Sequence, residues 1–94
     1  MITSKYEFEK KLEQLKTKRY SDLRDLKRSL TTLLNTEEPI WLEHSKQNFE
    51  VDHTPDWHVI GHYENKYIFC DFDIYFLYDR HNEILVTEIT CTFE

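Results

Sequence analysis

The spacing of apolar residues changes once along this chain, near residue 39, and the change separates two kinds of structure. Before it, apolar residues recur every three or four positions, as on one face of a helix: Phe8, Leu12, Leu15, Leu23, Leu26, Leu30 and Leu33. From Ile40 onward apolar and polar residues alternate, as in half-buried strands. The sequence therefore predicts a single α+β domain over residues 1–94, helical over 1–36 and an antiparallel sheet over 39–94.

The helical region has a clear start and an ambiguous middle. Ser4 can cap the first turn, and Glu7 three residues later completes a capping box. Arg19 then occupies a position where the apolar stripe needs an apolar residue. We expect one long helix, because no Gly or Pro marks a turn. The alternative is a break near Tyr20, with a second helix capped by Ser21.

The alternating region predicts a meander of four or five strands packed against the helix. Strands are expected at residues 40–44, 49–52, 57–64, 67–78 and 83–93, with turns or loops at 45–47, 53–56, 65–66 and 79–82. The turn at 65–66 would pair Glu64 with Tyr67, and the turn at 79–82 would pair Tyr78 with Glu83.

These two turns fix which face each side chain occupies, because one residue of slippage exchanges the faces. Both alignments place the same apolar set on an inner face: Trp57, Val59, Gly61, Tyr63, Ile68, Cys70, Phe72, Ile74, Phe76, Leu85, Ile89, Cys91 and Phe93, with Thr87 among them. The lone glycine, Gly61, would let a helix or a large ring approach the sheet closely.

The outer face follows by elimination as a set of cross-strand rows. These rows are His58 with Asp73 and Glu88, Ile60 with Asp71 and Thr90, His62 with Phe69 and Thr92, Tyr75 with Val86, and Leu77 with Ile84. The surface carries acids, histidines and aromatic residues, and it has no Lys or Arg. Solvent-facing sheet surfaces are more often polar with basic residues, so this face is the most informative feature of the sequence.

Few residues indicate catalysis. His58 beside Asp73 or Glu88 could act as a general acid–base group in a small enzyme, although a solvated histidine between carboxylates is the favoured interpretation of the row. With one glycine, the chain has neither a P-loop nor a Gly-x-Gly-x-x-Gly motif. We expect no metal and no cofactor, and we expect Cys70 and Cys91 to be buried thiols rather than a disulfide.

The charge distribution favours a binding function. Residues 1–28 hold nine basic and five acidic side chains, whereas the remainder holds three basic and thirteen acidic ones. This acidity disfavours nucleic acid as a ligand and favours a basic protein surface. With no apolar run of about 18 residues and no apolar leader, we expect a cytoplasmic protein that does not enter a membrane.

The sequence thus predicts a small acidic inhibitor or binding module of the immunity, antitoxin or phage-antagonist type, which is not an enzyme. It would cover a basic surface of a partner such as a nuclease. The expected contact residues are His58, His62, Phe69, Asp71, Asp73, Tyr75 and Glu88. A structural subunit of a homo-oligomer, or a homodimer formed through the helix or a sheet edge, is the remaining alternative.

Overall fold

The computed structural model describes residues 2–34, 42–47 and 56–94. Its elements are α1 (Lys5–Glu13), a 3-10 turn (Gln14–Thr17), β1 (Arg19–Tyr20), α2 (Leu23–Leu34), β2 (Leu42–Gln47), β3 (Asp56–Glu64), β4 (Phe69–Tyr78) and β5 (Ile84–Phe93). The strands form one antiparallel sheet in the order β1-β5-β4-β3-β2. The predicted α+β class is confirmed.

Two sequence predictions concern the first strands. Residues 45–47, expected as a turn, instead continue β2 to Gln47, where they pair with β3. The strand expected at 49–52 lies outside the described residues.

The helical region contains two helices. The prediction of a single long helix is therefore wrong, and the alternative prediction of a break near Tyr20 is confirmed. Ser4 accepts the backbone N–H of Glu7, which confirms the predicted N-cap of α1. The second cap is Asp22 rather than Ser21, since Asp22 Oδ1 accepts the N–H of Asp25 at 2.8 Å. Between the helices, Tyr20 is 1% exposed and donates its hydroxyl proton to the carbonyl of Leu15 at 2.8 Å.

The core forms between the two helices and the inner face of the sheet. Its helical members are Phe8, Leu12, Leu15, Leu26, Leu30 and Leu34, and its strand members include Val59, Tyr63, Phe72, Ile74, Phe76, Ile84 and Val86. The ring of Phe8 stacks on Tyr63 at 5.3 Å between centroids and meets Phe72 edge-on at 5.9 Å. Gly61 is buried directly opposite Phe72. This position agrees with the prediction that the missing side chain of Gly61 lets a large ring approach the sheet closely.

The loop between β3 and β4 is four residues long rather than two, so Glu64 pairs with Phe69 instead of Tyr67. Asn65 explains the difference, because its side-chain oxygen accepts the N–H groups of both Tyr67 and Ile68. A two-residue hairpin turn of the favoured type needs positive φ at both central residues, and neither Asn65 nor Lys66 has it. The longer loop shifts the register by two residues and leaves every β3 side chain on its predicted face.

The second hairpin departs from the expected register in two steps. Tyr78 pairs with Ile84 rather than Glu83, and Asn82 takes the left-handed conformation (φ 63°) that closes this five-residue loop. A bulge opposite Tyr75 and Phe76 then adds one more residue to β5.

The one-residue shift at the turn reverses the predicted facing of the first part of β5, and the bulge restores it for the rest of the strand. Ile84 and Val86, expected on the outer face, are 0% and 4% exposed in the core, whereas Thr87, expected inside, is exposed. Beyond the bulge, Ile89, Cys91 and Phe93 lie on the inner face as predicted and are half-buried.

Asp79 ties the β4–β5 turn to β1. Its Oδ1 accepts the N–H groups of His81 and Glu83, and its Oδ2 accepts from Arg19 Nε at 2.7 Å. These contacts, led by the Glu83 N–H, lower the pKa of the Asp79 carboxyl below its ordinary range. The short strand β1 is therefore held at the turn end of β5 by backbone pairing and by an ion pair.

Replacing Phe8 by Ala should lower the free energy of unfolding by about 3–5 kcal/mol, because the buried ring joins α1 to β3 and β4. Phe8→Leu should cost less than about 1.5 kcal/mol. Tyr6→Ala is the matched control: Tyr6 is on the same helix but 72% exposed, so the change should stay within about 0.5 kcal/mol. Urea unfolding measures all three, and equal losses for Phe8→Ala and Tyr6→Ala would contradict the assigned core.

Candidate functional site

The outer face of β3, β4 and β5 is the candidate site. Its side chains alternate with those of the core, and they are Ile60, His62, Glu64, Phe69, Asp71, Asp73, Tyr75, Leu77, Leu85, Glu88, Thr90 and Thr92. The three strands contain no Lys or Arg. Because the buried residues of α1 and α2 join the core on the other side, neither helix covers this face.

His62 links two carboxylates at one end of the outer face. Its Nδ1 lies 2.8 Å from Asp71 Oδ1, directly across the strand pair, and its Nε2 lies 3.1 Å from Glu64 Oε1. The ring also meets Phe69 edge-on at 4.6 Å between centroids. With a carboxylate at each ring nitrogen, the imidazolium form can donate both hydrogen bonds, whereas the neutral form can donate one.

This arrangement raises the pKa of His62 above its ordinary value of 6.5. The hydrogen bond to Asp71 is the largest cause, and the hydrogen bond to Glu64 is the next. When His62 is protonated, it is a cation between two acids on a face that otherwise carries Asp73 and Glu88 as its charged groups.

The residues predicted for partner contact other than His58, of which only the backbone is described, lie on the outer face, in rows that differ from the predicted ones. Phe69 is 37% exposed, Asp71 and Glu88 are exposed, and Asp73, Tyr75 and His62 are partly exposed. Asp73 and Glu88 lie on the outer face, as predicted.

The predicted row of His58, Asp73 and Glu88 is not formed. The backbone of His58 pairs with Tyr75, which in turn pairs with Glu88, while Asp73 pairs with Ile60 and Thr90. The two extra residues in the β3–β4 loop move His58 away from Asp73, and the longer β4–β5 loop together with the bulge in β5 moves Glu88 away from Asp73. The longer β3–β4 loop also brings His62 opposite Asp71. The sequence analysis did not predict this pair, because it assumed a two-residue turn at Asn65 rather than a four-residue loop.

The two cysteines are diagonal neighbours, not the directly opposed pair that the sequence predicted, and both are free thiols. Cys70 is fully buried, and its thiol donates to the carbonyl of Asp71 at 3.3 Å. The hydrogen bond with Cys91 and burial raise the pKa of Cys70, which leaves it a poor nucleophile. Cys91 is half-buried beside α1.

Within residues 2–34, 42–47 and 56–94, no group of three or more His, Cys, Asp or Glu side chains is arranged to hold a metal ion. Neither of the two described helices is long and apolar enough to span a membrane.

Comparison with known proteins adds no relative. No protein-family model matches the chain, and no curated protein or solved structure matches it either. The inference of function therefore depends on the geometry and the charge of the outer face.

Replacing Asp71 by Asn should lower the pKa of His62, since the hydrogen bond to Asp71 is the largest cause of the raised value. Glu64→Gln should lower it less. Proton NMR titration of the His62 ring measures each pKa. Because the pKa is raised in the folded state, the stabilisation from this contact is complete below pH 6.5 and is lost as the pH rises through the folded pKa. A pKa of His62 that neither substitution changes would contradict the bridged geometry.

Proposed function

We propose that this protein is a binding module whose acidic outer face covers a basic surface of another protein. The observation that carries the proposal is the sheet face itself: three adjacent strands present Asp71, Asp73 and Glu88 among aromatic and aliphatic side chains, with no Lys or Arg on those strands. Inhibition of a nucleic-acid-processing enzyme fits this chemistry, because the substrate channels of such enzymes are basic.

The composition of the face supports protein contact rather than simple solvation. Phe69 and Tyr75 supply rigid apolar area with a low entropic cost on binding. They lie on the same strand as Asp71 and Asp73, so apolar contact and charge are interleaved along β4. A partner that places Lys or Arg against the carboxylates would bury the aromatic rings in the same contact.

The charge of the face favours fast association. Clustered carboxylates on strands that carry no Lys or Arg produce a negative field that steers a basic partner during encounter. His62 reduces this field while it is protonated, because its cation offsets part of the charge of Asp71 and Glu64. Above the raised pKa of His62 the outer face gains one unit of negative charge, which should strengthen the attraction.

Reversing the charge of Asp73 and Glu88 together should reduce association with a basic partner, mainly by lowering the association rate about tenfold at low salt. The double variant Asp73→Lys/Glu88→Lys and wild type are compared in capture from native lysate at low and high salt, followed by kinetics on the captured protein. Glu9→Lys/Glu13→Lys is the matched control, because both acids are exposed on α1 and the change in net charge is the same.

High salt should weaken the binding of wild type and of the control alike. Equal association rates for the two double variants would remove the outer face as the binding surface.

A further inference from the structure

The edge of the sheet at β5 is open along most of its length. β1 pairs with Ile84 and Leu85 alone, and its register places Lys18 beside Val86. Among the described residues, no strand pairs with residues 87–93 on the side away from β4. We call residues 87–93 the open edge.

The backbone of the open edge presents hydrogen-bonding groups that no strand within the described part of the chain pairs with. Glu94 donates its N–H to the carbonyl of Phe69 on β4 at 3.0 Å. In an antiparallel ladder alternate residues point to opposite sides, so the N–H and C=O groups of Ile89, Cys91 and Phe93 point away from β4. Such an edge is a template for a further strand.

A groove lies beside the open edge on the inner side of the sheet. Its volume is ≈ 450 Å³, and it is lined by Tyr6, Glu9, Lys10, Glu13, Ile89 and Cys91. Tyr6 is 72% exposed at its rim. A strand added at β5 would direct every second side chain into this groove, where half-buried Ile89 and Cys91 would gain apolar neighbours.

We propose that the occupant of the open edge is the β5 strand of a second copy of this chain, paired antiparallel across a two-fold axis at Thr90. The open edge has seven residues, and Thr90 is its centre. Pairing about Thr90 matches residue 87 of one copy with residue 93 of the other, so the whole open edge of each copy is used. Ile89 of each copy then exchanges both hydrogen bonds with Cys91 of the other.

The neighbouring registers are excluded by the pairing of β1 and by like-charge repulsion. A two-fold axis perpendicular to the sheet pairs outer-face residues with outer-face residues and inner-face residues with inner-face residues. The axis must therefore pass through a residue, and the nearest alternatives to Thr90 are Ile89 and Cys91. An axis at Ile89 would pair Phe93 with Leu85, which β1 already occupies. An axis at Cys91 would place Glu88 against Glu94, a like-charge pair. The axis at Thr90 places Glu88 against Thr92.

The experiment uses two substitutions that change the net charge of the monomer identically, although Thr90→Lys also removes the long hydrogen bond from Thr90 Oγ1 to Asp73 Oδ2 at 3.4 Å. Thr90→Lys and Thr92→Lys each replace an exposed threonine of β5, and each changes the net charge from −6 to −5. Thr90→Lys sets two ammonium groups face to face at the axis, which should weaken the dimer about fivefold. Thr92→Lys sets each ammonium against Glu88 of the other copy, which should strengthen it by about the same factor.

Light scattering after gel filtration and analytical ultracentrifugation, each over a wide concentration range, give the dimer dissociation constants. Wild type should rise from 11.6 kDa toward twice that mass as concentration increases, and salt should favour the dimer because each copy carries −6. Circular dichroism confirms that both variants are folded. Amide exchange should show protection of Ile89, Cys91 and Phe93 that increases with concentration.

A monomer at every concentration would overturn the proposal. So would a dimer that both substitutions weaken equally or leave unchanged, since its contact would then lie elsewhere. Binding of a basic partner to the outer face is weakened by salt, so failure of the dimer and failure of the proposed function are separable.

Discussion

The alternation of side chains along β4 is the constraint on which the rest of the structure depends. Cys70, Phe72, Ile74 and Phe76 are 0% exposed and receive the helices, while Asp71, Asp73 and Tyr75 point to the opposite face. Because β4 lies at the centre of the sheet, its two faces set the faces of β3 and β5 on either side. The same strand therefore supplies the core and the candidate binding surface, and its pleat keeps the charges apart from the apolar residues.

Hydrophobic alternation was sufficient to predict the faces of β3 and β4 but not their register. A shift of two residues changes every cross-strand neighbour and leaves every face unchanged, so the apolar pattern contains no information that would exclude it. The register depends on the hydrogen bonds that the Asn65 side chain makes in the loop, and the register determines which histidine of β3 pairs across the strands with an acidic residue. For this reason the sequence predicted the faces of the acids correctly but placed His58, rather than His62, in a cross-strand row with them.

Two further errors come from local geometry that the sequence pattern does not determine. Ile84, Leu85 and Val86 are all apolar, so neither alignment of the start of β5 is favoured, and the bulge before Ile89 allows Ile84 and Val86 to enter the core. The break between the helices has no Gly or Pro because Tyr20 stabilises it through burial of the ring and a hydrogen bond to Leu15. Helical propensity alone could not predict a two-residue strand at that point.

The bulge also divides β5 between two roles. Before it, Ile84 and Leu85 pair with β1, and the Arg19–Asp79 ion pair fixes that end. After it, the edge is open, and Thr90 and Thr92 direct their side chains to the outer face beside Asp73 and Asp71. Pairing of two open edges would join two acidic outer faces into one continuous surface, with Glu88 of each copy near the axis. The combined surface would carry twice the negative charge, and its attraction for a basic partner would increase accordingly.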